Sequence, residues 1–157
     1  MNDITLSSST VAKAQAVRGT AYRDIAIHLD GSPEDETRLA HAEALAAGFA
    51  ARMTGIFTKL LPDPALFAGD FGITAIGQLV DAVTEEGDVS EKRLKERLAR
   101  LGPVHELRRL DAFPGLLEQA VASEARWNDL FIATCPRGDG HGRWRQLIES
   151  VMFDGGR

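Results

Sequence analysis

The chain has 157 residues, of which 44% are hydrophobic and 26% charged, and these values are typical of one globular domain. Its net charge of −5 argues against binding to nucleic acid or to an anionic membrane, because a basic surplus that could neutralise phosphates is missing. The single cysteine, Cys135, excludes a disulfide framework, and no apolar run approaches the roughly 18 residues of a membrane span. Together with the missing secretory signal, these features predict a cytoplasmic protein.

The predicted domain covers residues 21–157 and follows a polar tail at 1–20, where no strong apolar period occurs. Its first strand is predicted at Asp24–Leu29, because isoleucine and leucine recur there at every second position. The turn that follows, Asp-Gly-Ser-Pro, leads into a helix that should have Ser32 as its N-cap and end near Arg52. We therefore expect the domain to open with a strand–turn–helix unit.

The middle of the chain predicts one strand and two helices. The second strand is expected at 53–60, where a glycine allows close packing. The segment 73–85 can form a helix, which Gly87 is expected to break. Ser90 then caps a second helix, which should end at Gly102 because a proline follows.

The last third continues the alternation of strands and helices. The strand predicted at 104–110 is rich in charged residues, which suits the edge of a sheet. A helix at 113–127 precedes a strand at 130–134 that is apolar on both faces, so this strand should be central and covered on both sides. The last helix is predicted at 143–153. Such alternation predicts an α/β fold with an open parallel sheet, helices on both faces and right-handed crossovers.

Two polar segments should meet at the carboxyl edge of this sheet. Asp30 follows the first strand, and Thr134 ends the fourth strand shortly before a loop that contains Gly138, Gly140 and Gly142. Ligands of open α/β sheets bind outside the carboxyl ends of the strands, where the strand order reverses. The amides of a glycine loop and of a helix N-terminus can hold phosphate, and the carboxylate of Asp30 can accept hydrogen bonds from ribose hydroxyls or an exocyclic amine. The sequence thus predicts a ligand site of the nucleotide type at the ends of strands one and four.

Several segments resemble the universal stress protein family. The stretch Ile-Ala-Ile-His-Leu-Asp-Gly-Ser-Pro at 25–33 is similar to the opening of these proteins, as is the alanine-rich helix that runs into Thr-Gly-Ile at 54–56. The segment 120–134 resembles the family's helix that ends in alanine and acidic residues before a strand begins with Asp-Leu. The segment 149–157 resembles the family's last helix and the turn before its final strand. The resemblance covers about residues 22–157 and is strongest at both ends.

The resemblance implies an open, Rossmann-like sheet of the adenine nucleotide alpha-hydrolase type, with five strands in the order 3-2-1-4-5, and a homodimer. The chain accounts for four of these strands, in the order 3-2-1-4. Because the fourth strand is too apolar for an exposed edge, the fifth strand is either absent from this chain or replaced by cover from a partner chain.

Some members of the family bind ATP and others do not. Those that bind carry a glycine motif, and its register in this chain runs from Gly142 through Arg145 to Gly155 and Gly156. Arg145 stands where the motif has a glycine, and the final hydroxyl residue of the motif is missing. The arginine can block the close backbone approach that glycine permits, or its guanidinium can contact phosphate itself.

The same alignment places Asp30, with Gly31 beside it, at the family's adenosine-contacting aspartate, and Thr58 near the strand-two position whose backbone faces the base. It implies a stress-response binding protein that holds an adenine nucleotide, ATP or AMP, and hydrolyses ATP slowly at most. The alternative is a dimeric interaction module that kept the fold and lost the nucleotide, and the departure at Arg145 favours it. An enzyme of the alpha-hydrolase type ranks last, because its serine- and glycine-rich loop after the first strand is missing.

Other polar residues have plainer interpretations. His28 lies inside the first strand and is expected to be packed and hydrogen-bonded. Cys135 is expected to be a small packing residue, and His141 to be solvated in its loop. The histidines lack the spacing of metal ligands, so no metal site is predicted.

Overall fold

The computed structural model describes residues 22–67, 73–101, 105–134 and 144–155. Strands and helices alternate along these segments, and a short 3₁₀ turn at Pro64–Phe67 follows the second strand. The strands are β1 (Asp24–Leu29), β2 (Arg52–Leu60), β3 (His105–Ala112) and β4 (Leu130–Ile132). The helices are α1 (Glu34–Phe49), α2 (Ile73–Ala99), α3 (Leu116–Ala125) and α4 (Arg145–Asp154). The predicted tail at 1–20 lies outside the described residues.

The four strands form one parallel sheet in the order β3-β2-β1-β4, as the sequence predicted. Ile27 of β1 pairs with Gly55 of β2 on one side and with Ile132 of β4 on the other. The charged strand β3 lies at an edge, as expected. The central position predicted for β4 is wrong for the described part of the sheet, because this three-residue strand pairs there with β1 alone and is only partly buried.

Helices cover both faces of the sheet, and β1 is buried on both of them because it lies inside the sheet. On one face, Ile25, Ile27 and Leu29 pack with apolar residues of α1 and α2. On the other face, Ala26 and Ile56 pack against α3, α4 and the residue before α4. This arrangement confirms the predicted α/β architecture with helices on both faces.

The long second connection is one continuous helix, so the predicted break at Gly87 and the predicted cap at Ser90 are wrong. Gly87 is buried, and a Cβ added to it would lie 2.6 Å from a guanidinium nitrogen of Arg109 on β3. That guanidinium also donates to the carboxylate of Asp88 and to the carbonyl oxygen of Thr84. The glycine therefore does not end the helix; it makes room for an arginine that joins α2 to the sheet.

Helix α1 also departs from its predicted bounds. It ends at Phe49 instead of near Arg52, because Ala50 adopts a left-handed φ of 54° and the amide of Ala51 donates to the carbonyl oxygen of Ala46. This turn lets β2 begin directly at Arg52. The helices predicted at 113–127 and 143–153 are present as α3 and α4, with shifted ends.

Candidate functional site

The carboxyl ends of β1 and β4 lie side by side, since the two strands are parallel neighbours. Asp30 follows β1 directly, and Thr134 follows β4 by two residues. The chain leaves β1 toward β2 on one side and reaches β4 on the other, so the strand order reverses between them. The predicted switch point is therefore present, and the place where an open α/β sheet offers a crevice is at Asp30.

The carboxylate of Asp30 is fully engaged by side chains of the protein itself. Its Oδ1 accepts hydrogen bonds from Arg38 Nη2, at 2.6 Å, and from the hydroxyl and the amide of Ser32. Its Oδ2 accepts the indole N–H of Trp144 at 2.8 Å. The side chain of Asp30 is 5% exposed. Because the Ser32 hydroxyl donates to Asp30, it does not cap α1, and the predicted N-cap is wrong.

Asp35 holds the turn that precedes α1. Its carboxylate reaches back from the first turn of α1 and accepts the amides of Asp30, at 3.1 Å, and Gly31, at 2.8 Å. It also accepts Arg38 Nη2 at 2.6 Å, so one guanidinium nitrogen bridges two buried carboxylates. The turn after β1 is thus fixed by α1, and the cluster of Asp30, Asp35 and Arg38 forms its centre.

The two carboxylates of this cluster differ in acidity. Burial would raise the pKa of Asp30, but the hydrogen bond from Ser32 and the charge of Arg38 outweigh it and hold this pKa well below its usual range. Burial raises the pKa of Asp35 to about 6, and the charge of Arg38 offsets only part of the effect. Asp30 is therefore the permanent anion of the pair, and Asp35 is the group that titrates.

Trp144 lies against Asp30 at the switch point. Its indole is 5% exposed and packs with Ala26 and Ile56 in the core of the α3–α4 face. The ring also stands edge-on to the imidazole of His28, with 4.7 Å between the ring centroids and 74° between the planes. A planar heteroaromatic ring thus donates its N–H to the carboxylate that the sequence assigned to an external ligand.

His28 is packed and hydrogen-bonded, as expected. It is fully buried in β1, and its Nε2 lies 2.8 Å from Thr58 Oγ1. The hydroxyl of Thr58 donates to the carbonyl oxygen of Leu29 at 3.3 Å, so it accepts from Nε2. Nδ1 is then the acceptor for Arg38 Nη1 at 3.4 Å, and one neutral tautomer satisfies all three contacts.

Comparison with known proteins identifies the fold. No family model and no curated protein matches the chain. A solved structure of a protein from the universal stress protein family of Burkholderia pseudomallei superimposes with a TM-score of 0.57, over 85% of this chain and 92% of that one. The chain has the universal stress protein fold. At 22% sequence identity, this likeness establishes the architecture alone.

A second solved structure, of a universal stress protein in complex with cAMP, is 18% identical. It covers 86% of this chain and 88% of its own, with a TM-score of 0.43. A TM-score this low does not support any conclusion about the crevice of this chain.

In this universal stress protein fold, the structure describes six of the ten predicted binding residues, namely Asp30, Gly31, Thr58, Thr134, Arg145 and Gly155. Gly31 has a left-handed φ of 84°, its amide donates to Asp35, and its carbonyl oxygen accepts Arg93 Nη2 at 2.6 Å. The side chain of Thr58 is buried and faces His28. Thr134 lies at the predicted edge and is partly buried. The predictions at Gly138, Gly140, Gly142 and Gly156 fall outside the described residues.

Arg145 and Gly155, two positions of the glycine motif, lie at opposite ends of α4. Arg145 is the first residue of the helix and is exposed, whereas Gly155 follows its last residue and is buried. Ten residues of helix separate the two positions by about 15 Å. A Cβ at residue 155 would lie 2.5 Å from the carbonyl oxygen of Val151, so this glycine serves the packing of the helix end.

The sequence interpretation missed three residues of the Asp30 cluster: Asp35, Arg38 and Trp144. Asp35 and Arg38 share the buried stripe of α1 with Leu39 and Ala42, at the spacing i, i+3, i+4, i+7. Two opposite charges on such a stripe are a signal for a buried ion pair, so these residues could have been found. Trp144 lies between two positions of the glycine motif, and nothing local to it points to Asp30.

Open clefts lie elsewhere on the molecule. One of about 350 Å³ lies at the amino ends of the strands, next to Thr54, Arg108 and Trp127. Another of about 540 Å³ runs between α3 and α4. Over the part of the chain that the structure covers, no helix has the length and apolarity to cross a membrane, and no group of three or more acidic, histidine or cysteine side chains is arranged to hold a metal ion.

Proposed function

We propose that this chain is a stress-response protein that acts by binding a partner protein, and that its crevice between β1 and β4 is closed to nucleotides by its own side chains. The observation that carries the proposal is the carboxylate of Asp30, whose two oxygens are taken by Trp144, Arg38 and Ser32. A ribose hydroxyl or an adenine amine would have to displace these donors. Arg145, in place of a motif glycine, supports the same conclusion.

Isothermal titration calorimetry with ATP and with AMP tests this proposal. We expect no heat of binding up to millimolar ligand, because a ligand must first break a charge-assisted bond and expel a buried indole. A saturable heat with one site per chain at micromolar ATP would overturn the proposal.

Self-association is the second part of the proposal. Leu130, Phe131 and Ile132 of β4 are apolar and only partly buried, and a strand edge of this kind is a template for pairing. We propose a cytoplasmic homodimer, in keeping with the single cysteine of the chain. Size-exclusion chromatography with light scattering tests the dimer, and a monomer at high protein concentration would exclude it.

Nucleotide binding is the second candidate function, and one observation favours it. The indole N–H of Trp144 is a donor on the carboxylate that was predicted to accept a ribose hydroxyl or an exocyclic amine. The carboxylate of Asp30 is therefore able to accept the same donor from a nucleotide once the indole has moved away. In this version a nucleotide binds only when Trp144 leaves, so replacing Trp144 would expose a site that the native chain keeps shut.

A further inference from the structure

A groove of about 540 Å³ runs between α3 and α4 on the outer surface of the molecule. Gln119 of α3 lines one wall, and Glu149, Ser150, Phe153 and Asp154 of α4 line the other. The groove lies away from the closed crevice, because the two helices turn Leu117, Val121 and Leu147 toward the sheet.

Large apolar side chains are exposed on the two helices that form this groove. Phe153 is 77% exposed and Met152 beside it is 65% exposed. Leu116, which follows the groove residue Gly115, is 59% exposed. Phe153 lines the groove itself, and an exposed aromatic side chain of this kind is typical of a protein contact.

The ionisable residues that line the groove are all acidic. Glu118 is buried, and its carboxylate accepts the amide of Gly115, so it is already engaged. Glu149 and Asp154 are exposed, and their carboxylates make no ion pair within the described residues. Arg126 reaches Asp154 but donates to its backbone carbonyl oxygen, not to its carboxylate. The groove therefore combines an aromatic anchor with two negative charges that the described residues leave without an ion pair.

We propose that this groove binds an amphipathic helix of a partner protein, with an apolar side chain against Phe153 and lysine or arginine side chains over Glu149 and Asp154. Glu149 and Asp154 are about 7.5 Å apart along α4 and both line the groove, so a docked helix can meet them with basic residues on its flanks. The length of α4, about 15 Å, accommodates two to three turns of that helix. This inference names the surface used in the proposed partner binding and rests on that function for its biological meaning.

The test uses a synthetic helical peptide of about 14 residues, with leucine at positions i, i+3, i+4 and i+7 and lysine on both flanks. A second peptide carries glutamate in place of every lysine. We expect the lysine peptide to shift the amide resonances of α3 and α4 in ¹H–¹⁵N spectra, and the glutamate peptide to leave them in place. Binding of both peptides, or shifts confined to other elements, would overturn the proposal.

Matched variants separate this groove from the overall charge of the protein. Glu149→Lys and Phe153→Ser should each weaken binding of the lysine peptide by about tenfold in calorimetry, because the first reverses one of the two negative charges and the second removes the aromatic anchor. Glu96→Lys changes the net charge equally on α2, and Val89→Ser removes a side chain that is 73% exposed on the same helix. These controls should bind like the native chain, and an equal loss in them would refute the groove.

The outcomes also separate this inference from the closed crevice. If neither the peptide nor ATP binds, the groove proposal is refuted and the proposal of a closed crevice is retained. Heat from ATP together with peptide binding refutes the proposed function, while the groove survives as a surface.

Discussion

Replacement of Trp144 is the sharpest test of the closed crevice. Trp144→Phe keeps an aromatic ring in the core but removes the N–H that Asp30 accepts. A hydrogen bond to a charged group contributes about 1.5–3 kcal/mol, so the free energy of unfolding should fall by about that amount. Trp144→Ala also empties a site that is 5% exposed, and we expect a total loss of about 3–5 kcal/mol.

Guanidinium unfolding followed by far-UV circular dichroism measures these losses. Trp127 provides the matched control, because its side chain is 78% exposed. Trp127→Phe should change the free energy of unfolding by less than about 0.5 kcal/mol. That variant also leaves Trp144 as the only tryptophan, so its fluorescence should be blue-shifted and resist quenching by acrylamide.

Two results would refute this reasoning. Equal quenching of the two tryptophans would show that the indole of Trp144 is not buried at Asp30. A Trp144→Phe chain as stable as the native one would show that its N–H contributes nothing to the fold. Titration of folded Trp144→Ala with ATP then decides between the candidate functions: heat there but not in the native chain supports a nucleotide site behind the ring, and heat in neither supports the interaction module.

Two further predictions concern the buried carboxyl groups and the packing of the sheet. The pKa of Asp35 is about 6 in the fold, above its ordinary 3.8, so the folded state binds the extra proton and the free energy of unfolding falls as pH rises through 6. Asp35→Asn should abolish up to about 3 kcal/mol of this fall between about pH 4 and 7. Parallel pH profiles of urea unfolding for the variant and the native chain would contradict this prediction. Gly55→Ala should lower the free energy of unfolding by about 1–3 kcal/mol, because its Cβ would lie 2.9 Å from methyl carbons of Leu29 and Leu107. Gly48→Ala in α1 is the control and should be neutral or stabilising, because a Cβ there meets nothing within 4 Å. Equal effects of the two substitutions in thermal unfolding would refute the packing argument.

The layers and strand order were predictable because they depend on patterns that the chain repeats. Alternation in β1 and the charged strand at 104–110 sufficed to place a buried strand and an edge strand. The break predicted at Gly87 failed for a physical reason. A glycine costs a helix about 1 kcal/mol, and the local rule does not see that Arg109, from a strand that follows, uses the space it leaves.

The position of the candidate site was predictable, but the partners of its carboxylate were not. Asp30 at the carboxyl end of β1 follows from the general behaviour of open sheets. Its occupancy depends on Trp144, which is 114 residues away in the chain. The hydroxyl of Ser32 can either cap α1 or donate to Asp30. It donates to Asp30, because the buried charge of Arg38 holds the carboxylate beside it.

The separation of Trp144 and Asp30 has a consequence for the order of folding. The ion pair of Asp30 with Arg38 closes a loop of eight residues, whereas the bond from Trp144 joins groups 114 residues apart. Chain entropy disfavours the longer closure by about 2 kcal/mol more, so the charged cluster can form with the first helix while the indole arrives last. A nascent chain that ends before residue 144 therefore carries the aspartate without the indole bond.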